Sequence, residues 1–218
     1  MIIMKKIISI ISIILVLTLF SATPAFAADS WETEPIDISG DFPTTETVSI
    51  SKCSVSNIKS KTYTGEVIHQ SPVVKYGKTT LKKGCDYTLS YKKNIKVGTA
   101  TMIIKGKGNF KGSLTKTFKI NPKGTTVSKV TSPKTKQIKV TWKKQKTQTT
   151  GYQIQLATNS SFTNNKKLIT VSKNTSTVKT VKSLKKNKKY YVRVRTYKTV
   201  DGKKYYSSWS KAKTVKTK

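Results

Sequence analysis

Beyond residue 47 the chain reads as short stretches in which large apolar and small polar side chains alternate. Tyr87, Leu89 and Tyr91 are separated by Thr88 and Ser90, which sets the three larger groups on one face of an extended strand. Ala100, Met102 and Ile104 repeat the pattern. Leu114, Phe118 and Ile120 do so again, although Lys116 interrupts their inward series. Later come Ile138, Val140 and Trp142, then Tyr152, Ile154 and Leu156, then Tyr190, Val192, Val194 and Thr196. Apolar spacing of a helical kind never runs for long. Alternation interrupted by turn residues predicts strands packed as antiparallel sandwiches.

The turns reinforce that reading. Asp201-Gly202, between Thr199-Val200 and Lys203-Lys204, is a two-residue hairpin signal, because both positions must take positive φ. The glycine-rich segment Gly106 to Gly112 lies between two predicted strands. A phosphate-binding loop would have to open a helix, so this one reads as a hairpin turn. Pro122-Lys123-Gly124 forms a linker (122–124) that divides a first domain, residues 48–121, from a second, residues 125–218.

Particular residues add resemblances. Tyr63-Thr64-Gly65, Leu81-Lys82-Lys83-Gly84, Asp86-Tyr87-Thr88, Tyr91, Asn94, Gly98-Thr99-Ala100-Thr101, Gly106-Lys107-Gly108-Asn109 and Phe118-Lys119-Ile120 resemble one family. It is the Ig-like repeat of secreted and surface proteins of Gram-positive anaerobes, with Cys85 where that pattern usually has Thr. The second half resembles a fibronectin type III domain, which implies Trp142 as its core tryptophan and Tyr190 as its tyrosine-corner residue. Tyr206-Ser207-Ser208-Trp209-Ser210 is similar to the Trp-Ser-x-Trp-Ser element of cytokine receptors. That likeness implies aromatic groups stacked with arginines of the neighbouring strand. The expected fold class is therefore all-β: two tandem antiparallel β-sandwich domains, Ig-like then fibronectin type III.

The N-terminus predicts export. Lys5 and Lys6 precede an uncharged run from Ile7 to Phe20, and Ala25-Phe26-Ala27 supplies a small-x-small cleavage site. The run of 14 residues falls short of the ~20 that a membrane-spanning helix needs. Residues 1–27 thus read as a signal peptide, and the exported chain as secreted, extracellular or associated with the cell wall, without a membrane span and monomeric. Residues 28–47 combine low hydrophobicity with Pro35, Pro43 and Gly40, and read as a disordered acidic arm.

Charge then narrows the function. After Ile50 there are 41 basic side chains, of which only Arg193 and Arg195 are arginines, against three acids, Glu66, Asp86 and Asp201. The arm carries six acids and no Lys or Arg. A glycosidase needs two facing carboxylates, and only Glu66 and Asp86 share a domain. His69 is the single histidine and has no nucleophile motif beside it. Cys53 and Cys85 lie 32 apart and lack zinc-ligand spacing. The chain therefore reads as non-enzymatic, with no catalytic residue, cofactor or metal.

Three features remain as candidates. Cys53 and Cys85 are a candidate disulfide, closing a loop of roughly 30 residues worth ~3–4 kcal/mol, or else two independent thiols. Tyr191, Arg193, Arg195 and Tyr197, with Trp209, form a candidate ligand face for sugars or anions, or else a ladder that covers the sheet. The lysines, spread mostly over turns, either solubilise the protein or hold it to a polyanion. The expected role is a cell-surface binding or spacer protein kept at the wall by an anionic polymer such as teichoic acid. The rival readings are an extracellular binder of nucleic acid or sulfated glycans, and an accessory module of a secreted hydrolase.

Overall fold

The computed structural model describes residues 46–218. Residues 1–27, expected to be a signal peptide, and nearly all of residues 28–47, expected to be an acidic arm, lie outside the described residues. In the first half the strands are β1 (Val48–Ser49), β2 (Ser54–Ser56), β3 (Lys61–Thr62), β4 (Val73–Tyr76), β5 (Thr79–Thr80), β6 (Tyr87–Lys92), β7 (Gly98–Gly106), β8 (Phe110–Lys111) and β9 (Ser113–Asn121). A 3-10 turn, Ile50–Lys52, interrupts them. In the second half they are β10 (Val127–Thr131), β11 (Ile138–Trp142), β12 (Gly151–Ala157), β13 (Lys167–Val171), β14 (Val178–Val181), β15 (Lys189–Val200), β16 (Lys203–Tyr206) and β17 (Lys213–Lys216).

The first sandwich sets the sheet β3-β9-β7-β6 against the smaller β2-β4-β5. Registers bring Leu89, Ile104 and Leu114 side by side, and Ala100 opposite Phe118, so the alternating residues fill one face. Met102, Ile104, Ile120 and Val74 are fully buried there, each worth about 1.5–3 kcal/mol of apolar transfer. Lys116 lies opposite Met102. β3 pairs with β9 only at Ile120 and Asn121. At Lys116 the strand is therefore an edge, and the lysine stem can cover apolar surface while its ammonium reaches water. Two pairings depart from the antiparallel expectation: β1 with β8 and β3 with β9 run parallel, each over two residues.

The second sandwich places the sheet β10-β11-β14 against β13-β12-β15-β16. Its core gathers Ile138, Val140, Trp142, Tyr152, Ile154, Leu156, Val192 and Val194. Trp142 is buried against Tyr152, ring centroids 5.3 Å apart. The buried Tyr190 accepts a hydrogen bond from the Lys185 amide at 3.1 Å through its hydroxyl, closing the corner before β15. Asp201 and Gly202 take φ of 48° and 72°, as the hairpin between β15 and β16 requires.

Residues 46–218 lie within one compact unit. Pro122 is buried, and the Lys123 carbonyl accepts a hydrogen bond from Thr196 Oγ1 at 2.7 Å, which pins the linker to β15. Across the junction Thr99 Oγ1 and Tyr205 Oη lie 2.7 Å apart. The Val97 amide donates to Gln148 Oε1 at 3.2 Å.

The cysteines are not bridged. Both thiols are free, with Cys53 buried and Cys85 exposed. Cys53 ends the 3-10 turn and faces the first core. Cys85 sits in a turn held by Asp86, whose Oδ2 accepts from the Lys82 amide at 2.6 Å, and by the Gly84 amide, which donates to the Tyr87 carbonyl. That turn presents residue 85 to solvent, so of the two alternatives the structure has two independent thiols and not the candidate disulfide.

Candidate functional site

β15 is twelve residues long and carries Tyr191, Arg193, Arg195 and Tyr197 on the face away from the core. Its partner on one side, β12, is buried at every position. Gln153 stands opposite Arg195 and Gln155 opposite Arg193. Arg195 donates from Nε and Nη2 to Gln153 Oε1, at 2.9 and 2.7 Å, and Arg193 Nε donates to Gln155 Oε1 at 2.8 Å. Polar side chains thus become buried without losing partners, as burial demands.

On its other side β15 pairs with two separate strands, β16 near its end and β17 near its start. Between them Ser207 to Ala212 leaves the ladder. Two serines replace main-chain acceptors there: Ser207 Oγ takes the Thr196 amide and Ser210 Oγ the Val194 amide, both at 3.1 Å. Main-chain bonds return from the Ser207 amide to the Thr196 carbonyl and from the Ser210 amide to the Val194 carbonyl. Trp209 is held between these anchors and lies over the arginines.

The result is a stack of five groups. Arg193 lies 3.9 Å from the Phe162 ring centroid and 4.8 Å from that of Trp209. Arg195 lies 4.3 Å from Trp209 and 4.1 Å from Tyr206. Phe162 caps one end from the loop after β12, with φ of 59°, an unusual conformation for a bulky residue. Asn159 fixes that loop, its Oδ1 accepting from the Thr163 and Asn164 amides. Burial pushes both guanidinium groups below their ordinary pKa. For Arg195 the like charge of Arg193 adds to this and Tyr206 opposes it.

The residues of the candidate ligand face are arranged in large part as a half-buried stacked ladder. Arg193, Arg195 and Trp209 come together, and each guanidinium spends its faces on rings and its edge on a glutamine. Tyr197 is buried, 6.2 Å from Tyr206, where burial first and Tyr206 second raise its pKa. Tyr191 stands outside the stack, with the Lys189 ammonium 5.4 Å from its ring. Phe162, Gln153 and Gln155 belong to the assembly and are absent from the expected set. The glutamines had a signal in alternation with Tyr152, Ile154 and Leu156.

This broken last strand, with the corner tyrosine and core tryptophan, agrees with sequence comparison. Residues 121–213 match the family description "Fibronectin type III domain". This segment is a fibronectin type III domain. The structure carries β17 of that domain on to Lys216. Among solved structures, the chain is similar to the fn3 domain of human contactin 1, at 16% identity, covering 44% of this chain and 77% of that one, TM-score 0.38. It is also similar to the chicken CNTN1 FN1-FN3 domains, at 15% identity, covering 79% of this chain and 68% of that one, TM-score 0.38. No curated protein matches the chain in sequence.

Outside the fibronectin type III domain, His69 meets the Tyr91 ring edge-on at 5.1 Å. Tyr91 Oη donates to the Gln70 carbonyl and accepts from its amide. Asp86 is occupied in its turn. Among the described residues no three His, Cys, Asp or Glu side chains gather closely enough to hold a metal ion. No helix among them is long and apolar enough to cross a membrane.

Proposed function

We propose that the protein is a secreted, non-enzymatic binding and spacer protein whose lysines hold it to an anionic polymer of the cell wall, such as teichoic acid. One observation carries this reading. Of the 39 lysines after Ile50, 36 are exposed and none is buried, against three acidic side chains in the same stretch. Such a surface attracts a polyanion through counterion release, so affinity should fall steeply with salt. The first sandwich fits an Ig-like surface repeat, which would make the chain a tandem of extracellular modules.

A nucleic-acid reading is weaker on one observation. Base readout favours the bidentate fork of arginine, and the chain's two arginines are both committed to the ladder. The test is a pull-down of the chain from Ala28 with teichoic acid and with DNA across a salt series, alongside release from intact cells. Retention at low salt and release by moderate salt supports the reading. Protein found only in the medium at low salt, or stronger retention on DNA at every salt, overturns it.

A further inference from the structure

The junction between the two sandwiches holds an open cleft of about 1010 Å³. One wall is the turn from Lys93 to Val97 with the start of β7. The other is the β15–β16 hairpin together with Gln148. Lys93, Lys96, Lys198 and Lys203 line it, and Asp201 is the only acidic group in its lining. A smaller hollow of about 320 Å³ shares Thr99 and Lys203 with it and adds Lys59 and Lys119. The two form a seam that follows the junction.

Lysine is common everywhere on this surface, so its presence alone singles out nothing. Concavity does. A cleft lined by one sign of charge and walled by low-dielectric protein focuses the field within it. The walls are also fixed. Asn94 Nδ2 donates to the Ile68 carbonyl at 2.9 Å, and Gln148 and Tyr205 tie the two sandwiches at the cleft floor.

We infer that a linear polyol-phosphate chain lies along this seam, its phosphates on the lysines that line it. The inference rests on the polyanion reading above and gives it a place. Two details select the ligand class. Single-stranded nucleic acid is bound on aromatic platforms, yet the seam offers only Tyr205 and Phe118, both buried. Ile95, 44% exposed at the cleft, instead offers aliphatic contact to polyol carbons.

The test is titration of the chain from Ala28 with a glycerol-phosphate oligomer of defined length, across a salt series. Three proteins are compared. They are the unaltered chain, a seam set (K93Q, K96Q, K198Q, K203Q) and a control set on the opposite sheet and its far turn (K129Q, K139Q, K179Q, K186Q). The seam set should bind at least tenfold more weakly and lower the slope of log affinity against log salt by about three, from four lost phosphate contacts. The control set should bind within about twofold of the unaltered chain. A single Ile95→Glu, at an exposed position, should weaken binding in the same direction without altering melting. Equal weakening by both sets overturns the seam and leaves the diffuse polyanion reading standing. No binding by the unaltered chain overturns both. Tighter binding of single-stranded DNA of equal length, lost in the seam set, overturns the polyol-phosphate assignment.

Discussion

The Arg195 guanidinium sits 4.3 Å from the centroid of the Trp209 indole, on a stretch of chain that has left the β-ladder. Two serine hydroxyls make this geometry affordable, because they accept the β15 amides that a continuous last strand would have satisfied. Stacking of a partly desolvated cation contributes roughly 1–2 kcal/mol, and the Gln153 carbonyl beneath it requires a donor. Arg195→Ala should therefore destabilise the fibronectin type III domain by about 2–4 kcal/mol. Calorimetry of the variant checks this, and an unchanged melting temperature would rule out the ladder as a stabilising element.

Gly151 opens β12 with no room for a side chain. A Cβ there would lie 2.1 Å from the Val171 carbonyl oxygen and 3.0 Å from the Tyr197 ring. Backbone and a buried ring cannot both retreat cheaply, so Gly151→Ala should cost about 1–3 kcal/mol. Gly77 is the comparison, with nothing within 4 Å of its Cβ position. Denaturant midpoints of the two alanine variants separate crowding from the ordinary cost of replacing a positive-φ glycine.

The two thiols should behave differently. Cys85 is exposed, whereas Cys53 is buried, and burial pushes its pKa up. A thiol reagent should titrate one cysteine rapidly in the folded protein and the second only in denaturant. Neither thiol reacting in unreduced, denatured protein would mean that a bridge forms after all.

Alkali should lower the protein's stability through three groups. Cys53, Tyr87 and Tyr197 all have pKa values raised by burial from 9.0, 10.0 and 10.0. Each group keeps its proton in the folded state at a pH where the unfolded chain has begun to lose it. Their stabilising contribution is complete below pH 9 and is lost as pH rises through the folded values. Denaturant midpoints measured from pH 8 to 11 should fall throughout the upper half of that range, and a flat profile would contradict the burial of these groups.

The acidic arm bears on affinity. Its six carboxylates can compete with an external polymer for the same lysines. Removing residues 28–47 should tighten polyanion binding, most visibly at low salt where screening is weak. Equal affinities with and without the arm would leave it only a spacing role.

Much of this architecture was legible because each strand's alternation agreed with its turns. Tyr190 to Thr196 gave the inward face of β15, and Asp201-Gly202 gave the hairpin that follows it. The arginine–tryptophan contact came from the resemblance of residues 206–210, not from periodicity. Phe162 was invisible, since it reaches Arg193 from a loop whose positive φ has no sequence pattern. The cysteines stayed open for a related reason: proximity within one domain says nothing about whether two side chains face each other. The seam was equally hidden, because its walls come from turns about 100 residues apart in the chain, as the pair Thr99 and Tyr205 shows.

The divided pairing of β15 has a mechanical consequence. The linker meets the strand at Thr196, while the last strand pairs with it from Lys189 to Val192. Seven residues separate Thr196 from Lys189, about 23 Å of extended chain. The chain thus enters the domain near one end of β15 and finishes near the other. Tension between Lys123 and Lys216 would run along the strands and load their hydrogen bonds in shear, many at once, and would not peel them apart singly.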